Sequence, residues 1–425
     1  MTALAPLRLR RKSDAGVQRK LAIVAGFSLI LTQRIGLPLG SAQIPVPLLL
    51  SLALLFAAIA GAAALLSPVR LCLLLAVTVA GGISLARAEN SSEITPAASP
   101  LSLAFLILVY LWFVVVPTPS GAYLGPALLR GVLLGVSVGA SLGIAQWGAQ
   151  TAGLGYIDFV GGISPEFRLQ GYNTYYTLDY VEGYRSDGFK PNGMIFLEPS
   201  NLSLFAGIGI IILLSGLNDR AFQFKRPVTT WVLLGVLTGG LAVSLSTSGV
   251  LVAAIGGLVL LAERRLRLWQ LLVGGILVAA AAHSGLFRGV AVKLAEGTEG
   301  NSSTAQRLTL PYELLPQYWE EEAWLGWGPG TATFFTDLTG YGSLQAPALL
   351  KALLEYGVFG TLLLALMLAL ALRAPLAPLP VTVAILAAYL LPADNLLNVT
   401  LVTMLALGCR FWPTRTQNPL PKECS

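Results

Sequence analysis

Charge is the scarcest property of this chain. Asp, Glu, Lys and Arg make up 11% of its 425 residues and hydrophobic residues 55%, whereas a water-soluble chain carries roughly a quarter of its residues as charged groups. That balance excludes a soluble multidomain protein and implies a polytopic membrane protein. Histidine is scarcer still: His283 is the only one, which excludes a Cys/His metal cluster. The three cysteines encode no disulfide framework, since Cys72 and Cys409 fall inside apolar runs and Cys424 in the tail. Phosphate-binding glycine loops, a dinucleotide fingerprint, His-Glu-x-x-His and Asp-x-Asp are all missing, so nucleotide hydrolysis and metal-bound nucleotide-sugar chemistry find no support and no cofactor or metal is expected. The net charge of +6 would suggest nucleic acid in a soluble protein. Here it fits cytoplasmic loops obeying the positive-inside bias, and no nucleic-acid partner is expected.

Runs without charge define the membrane spans, because an ionised side chain at the bilayer centre costs at least ~2.5 to 3.5 kcal/mol and a spanning helix needs about 20 apolar residues. Twelve helices are predicted, at 20–36, 45–66, 70–86, 100–116, 124–147, 196–216, 228–244, 249–262, 268–285, 348–372, 376–392 and 395–411. The fold class is therefore all-α, one integral membrane domain over residues 1–425. Basic residues set its orientation. Arg8, Arg10, Arg11, Lys12, Arg19 and Lys20 precede the first span, and alternate loops carry Arg70, the Arg220/Lys225/Arg226 group, Arg264, Arg265 and Arg267, Arg373, and finally Arg410, Arg415 and Lys422. With Arg130 snorkelling at an inner end, both termini are expected in the cytoplasm. The first span reads as an uncleaved signal anchor, since no small-x-small site follows it.

The same bias divides the charge-free stretch 227–262. Basic clusters flank both ends, so the chain must cross twice, with a turn expected at Ser246-Thr247-Ser248-Gly249 on the outer side. Two outer loops, 148–195 and 286–347, are too long to be mere connections. The first holds Arg185, Asp187 and Lys190 with an aromatic run that includes Tyr172, Tyr175 and Tyr176; the second holds Arg307 and leads to Lys351 and Glu355. Leu308, Tyr312, Leu315 and Trp319 have helical spacing, which Pro311 and Pro316 must break into short surface pieces.

Basic residues facing outward run against the positive-inside bias, and they suit an anion on the outer face. The competing reading pairs each with a neighbouring acid, as Arg185 with Asp187. The tyrosines suit stacking on sugar rings or, equally, an interfacial belt.

These residues carry a resemblance. Arg185-Ser-Asp187-Gly188-Phe, followed by Glu198-Pro-Ser-Asn at a helix mouth, resembles the signature of the O-antigen polymerase and ligase superfamily, in particular its Wzy-type polysaccharide polymerase branch. Ser244-Leu-Ser246-Thr-Ser248-Gly is similar to the serine-rich hairpin of that family, without the arginine often found there. Gln306-Arg307 and then Trp324-Leu-Gly326-Trp-Gly328-Pro-Gly330 resemble its arginine and glycine-rich return, and Leu354-Glu355-Tyr-Gly357-Val-Phe-Gly resembles the opening of the following helix. Together the motifs span 185–360 in the family's order. Ligases of the superfamily typically carry His-Asn about nine residues before that glutamate. Ala346-Pro347 stands there instead, which favours the polymerase branch.

The resemblance implies a GT-C-like membrane fold and a reaction: a growing glycan on undecaprenyl pyrophosphate is transferred to a hydroxyl of an incoming lipid-linked repeat unit, at the periplasmic face of a bacterial inner membrane. The product would be O-antigen or exopolysaccharide, and a flippase and a chain-length regulator of the same pathway would be partners. The leaving pyrophosphate needs positive charge and the acceptor hydroxyl needs a base. Arg185 and Arg307 fit the first need through bidentate phosphate contacts, supported by Lys190 and Lys351. For the base, Glu198 between loop and apolar helix is the leading candidate and Asp187 the alternative; the competing role for Glu198 is a helix cap. Two other functions remain in view: a ligase or another lipid-linked glycan transferase of the superfamily, and a membrane transporter, for which no internal repeat or paired mid-helix charge is found.

Overall fold

The computed structural model describes residues 5–40, 42–88, 99–169, 189–216, 227–263, 311–313, 322–333, 346–373, 377–391 and 395–413. It is mostly helical. In chain order the helices are α1 (Ala5–Leu31), α2 (Val46–Ala60), α3 (Pro68–Ala88), α4 (Pro100–Val114), α5 (Leu124–Thr151), α6 (Pro199–Gly216), α7 (Pro227–Val243), α8 (Thr247–Ala262), α9 (Ala348–Leu372), α10 (Leu379–Leu390) and α11 (Val399–Thr403), the last running on as a π-helical turn, Met404–Gly408. Proline opens α3, α4, α6 and α7, where its missing N–H costs no hydrogen bond and its fixed φ suits the first turn. The side chains of Ser99 and Asn398 cap α4 and α11 by accepting from the main-chain N–H groups of Ser102 and Leu401.

Among the described residues, four helices are long and apolar enough to cross a membrane: α3, α5 with the preceding turn, α6 and α9. The remaining apolar helices are shorter. The predicted span 268–285 lies outside the described residues, as does most of the second loop.

The ends differ from the prediction in an instructive way. The first span stops at Leu31, and the chain then forms an antiparallel hairpin, β1 (Gly36–Leu39) on β2 (Ala42–Pro45). A second pair, β3 (Ala64–Leu66) on β4 (Val115–Pro117), ties the chain after α2 to the chain after α4. Hydropathy alone extends a span through such residues, because a short apolar strand and a helix end look alike to it.

The last two predicted spans change most. At 1.5 Å per residue the 12 residues of α10 cover only about 18 Å, well short of the ~30 Å hydrocarbon layer. Ala377, before α10, donates from its N–H to the carbonyl of Cys409, after α11, at 3.1 Å, so the pair enters and leaves at one end of the bundle. On the returning side, Leu396 is fully enclosed and its carbonyl accepts from Tyr110 Oη, while Asn395 donates to Ala388 O; Leu391, at the end of α10, is exposed. Protein groups thus satisfy polar atoms of this non-helical return.

Close helix contact follows from glycine. A Cβ on Gly131 of α5 would overlap the Ile23 carbonyl of α1, and one on Gly26 would overlap the Leu128 carbonyl. Small residues on both faces let these two parallel helices pack backbone to backbone, the usual device for association in lipid.

Candidate functional site

The described part of the first loop is organised around a buried ion pair. Arg34, 3% exposed, sends both Nη atoms to the carboxylate of Asp158 at 2.8 Å and donates again to Met194 O at 2.6 Å. Such a forked, charge-assisted contact fixes orientation as well as distance. Hairpin β1–β2 braces it: Gln43 donates to the carbonyls of Glu166 and Arg168, and Ile35 bridges Arg168.

A polar network extends from this pair into the bundle. Gln146 of α5, fully buried, accepts from the N–H groups of Asn192 and Gly193 at 3.1 and 3.2 Å and donates to Ile157 O. The Asn192 side chain accepts from Tyr156 Oη and Met194 N and donates to Phe196 O. Most of these contacts close on the segment 191–196, whose Gly193 and Met194 both hold positive φ. Burial first, and the Asp158 charge second, push the Tyr156 phenol up to about 12. Arg34 and Asp158 were not singled out in the sequence; the available signal was an arginine at the end of an apolar run and an acid in a loop otherwise read for its tyrosines.

That segment delivers Glu198 to the mouth of α6. The Glu198 carbonyl accepts the first helical N–H groups, from Asn201 and Leu202, and its Oε2 accepts from Ser200 Oγ at 2.7 Å. One turn on, Ser203 Oγ donates to Ser246 O and accepts from Gly249 N, both at 3.0 Å. The serine motif therefore packs on α6 near Glu198. The turn itself is Ser244–Leu245–Ser246 rather than Ser246 to Gly249: Leu245 takes positive φ, Ser246 is the residue preceding α8, and Ser248 and Gly249 lie in its first turn. Gly249 serves helix contact, since a Cβ there would overlap the Ser203 backbone.

A second cluster forms where the glycine-rich return meets α9. Helix α9 breaks at Gly357, with φ 62° and ψ −170°. The return fills the break: Trp327 N donates to Leu354 O and Gly328 N to Glu355 O, while Val358 N and Phe359 N donate to the carbonyls of Ala323 and Trp324. Gly326, Gly328 and Gly330 all hold positive φ, and Gly326 lies so close to Gly357 that a side chain on either would overlap the other's strand of backbone. From α3, Ser84 Oγ lies 3.1 Å from the carbonyls of both Gly326 and Glu355. Glu355 is fully buried and Lys351, one turn earlier, is 8% exposed.

Of the predicted site, then, Glu198, Ser246 and Ser248 share the mouth of α6 and α8, and Lys351, Glu355 and the three glycines share the second cluster. Lys190 is half-buried just before the 191–196 segment. Arg185, Asp187, Gly188, Arg307, Tyr172, Tyr175 and Tyr176 lie outside the described residues. No group of His, Cys, Asp and Glu suited to a metal ion occurs among the described residues. No protein-family model matches the chain, and no curated protein matches it.

Proposed function

We propose that this chain is an integral membrane glycosyltransferase that polymerises lipid-pyrophosphate-linked repeat units, of the Wzy-type polymerase kind. The observation that carries the reading is the seating of the return 322–330 in the break of α9 beside Glu355. Two motif pieces that underlie the resemblance, about thirty residues apart, thus form one unit. The serine hairpin against the mouth of α6 joins two more.

In this reading both termini and the basic loops are cytoplasmic, the twelve predicted helices span the membrane, and the site faces the periplasm. An acceptor hydroxyl attacks the anomeric carbon of the donor, the bond to pyrophosphate breaks, and the hydroxyl proton passes to Glu198, or alternatively to Asp187. Arg185 and Arg307, with Lys190 and Lys351, offset the charge developing on the leaving group. The aromatic run Tyr172, Tyr175 and Tyr176 offers sugar-stacking faces. Ala346 in place of a histidine weighs against the ligase alternative.

A transport reading draws on the broken helix with buried ionisable residues, a feature carriers use. Here the break is at the tenth of the 25 residues of α9, and no internal repeat in the sequence pairs it with a second broken helix, as a carrier would require.

The test is mass spectrometry of lipid-linked glycans in a strain deleted for this chain. Single repeat units should accumulate, wild type should restore polymer, and Arg185→Ala, Arg307→Ala and Glu198→Gln should each fail to do so while inserting normally. Normal polymer in the deletion strain refutes the function. Polymer restored by Glu198→Gln alone removes that residue as base.

A further inference from the structure

Two arginines meet at one main-chain carbonyl, well away in sequence from every motif above. Arg70 Nη1 and Arg410 Nη2 both donate to Val115 O, at the end of α4. Arg70 Nη2 also reaches Leu370 O at 3.2 Å, in the last turn of α9, and Arg410 Nη1 reaches Trp112 O at 3.1 Å. Carbonyls at helix ends carry about half a negative charge per helix, which offsets the two cations only in part. Among the described residues, neither arginine forms an ion pair. Guanidiniums that share an oxygen repel, and a third, negative partner would relieve them.

The two differ in access. Arg410 is 2% exposed and closed in by the fold, whereas Arg70 is half-buried and reaches the surface. Beside it, α3 and α9 leave an open apolar groove of about 480 Å³, lined by Pro68, Val69, Cys72 and Leu73 on one side and Leu366 and Leu370 on the other. Leu370 belongs to both features, since it lines the groove and its carbonyl holds Arg70. Arg373, exposed, follows within one turn and adds a further positive charge.

Cationic head and apolar slot are thus contiguous, at a helix end where an interface would fall. We propose that this groove binds an anionic phospholipid, with its phosphate on Arg70 and one acyl chain between α3 and α9. A zwitterionic lipid fits less well, because its ammonium would lie beside the accessible Arg70 and Arg373. The assignment is independent of the glycosyl-transfer reading.

Native mass spectrometry of the detergent-purified protein tests it, with palmitoyl-oleoyl phosphatidylglycerol or phosphatidylcholine added. Retention of phosphatidylglycerol should exceed that of phosphatidylcholine about fivefold or more, the preference one basic residue gives at a membrane surface. Arg70→Gln should reduce that ratio about fivefold and Arg70→Lys should keep it. Cys72 provides a readout without altering the cations: it is exposed in the groove while Cys409 is buried, so in a Cys424→Ser background its alkylation should slow with phosphatidylglycerol and much less with phosphatidylcholine. Equal retention of the two lipids, an unchanged ratio in Arg70→Gln, or the same Cys72 protection from inorganic phosphate would overturn the proposal.

Discussion

Removing one partner of the Arg34–Asp158 pair should cost far more than its share of contacts suggests. Both side chains are shielded, at 4% and 17% exposure, and the guanidinium makes three charge-assisted bonds within 2.8 Å. Arg34→Ala strands the carboxylate and Met194 O, and Asp158→Ala strands a cation; breaking a buried pair from one side costs ~3 to 5 kcal/mol. The double variant leaves neither charge behind. It should therefore cost no more than either single change, where additive effects would give ~6 to 10 kcal/mol. At ~2 °C per kcal/mol for a chain of this size, each single variant should lose ~6 to 10 °C in thermal unfolding in detergent. Additive losses in the double variant, or a shift under ~1 °C in both singles, would refute the view that this pair anchors the 191–196 segment.

Two more outcomes follow from the same geometry. The Tyr156 phenol, pushed from 10.0 up to about 12, keeps in the folded chain a proton that the unfolded chain loses, so stability should fall by ~2 kcal/mol as pH rises from 10 to 12. Tyr156→Phe should flatten that limb at a cost of ~1 kcal/mol from the lost Asn192 bond, and identical pH profiles for the two proteins between pH 9 and 11.5 would contradict it. Gly326→Ala and Gly357→Ala should each lose more than ~2 kcal/mol in thermal unfolding, from left-handed strain plus backbone overlap, whereas Gly82→Ala in open space on α3 should be neutral or stabilising; equal effects at all three positions would show that the helix break is not a rigid joint.

What the sequence determined by itself is the class of solvent the chain meets. Eleven per cent charge and long apolar runs leave few ways to satisfy a backbone except helix, and every predicted span among the described residues contains one. It also marked Glu198, the serine motif, the glycine-rich return and Glu355 as positions of interest, because polar or small residues interrupt an otherwise apolar pattern there. Hydropathy counts carbon, though, and cannot count depth. It read α10 and α11 as two full-length spans, since hydropathy does not show that the helices there run for only 12 residues and, with the π-helical turn, 10. It placed the serine turn two residues late, because Gly249 looks like a turn residue when its reason for being glycine is the Ser203 backbone packed against it. The pairings were decided only by tertiary structure: Arg34 with Asp158 across 124 positions, and the return 322–330 in the break of α9. Each depends on which helices lie side by side, and that is set by small residues such as Gly26 and Gly131, whose effect on packing becomes visible only when the partner backbone is in place.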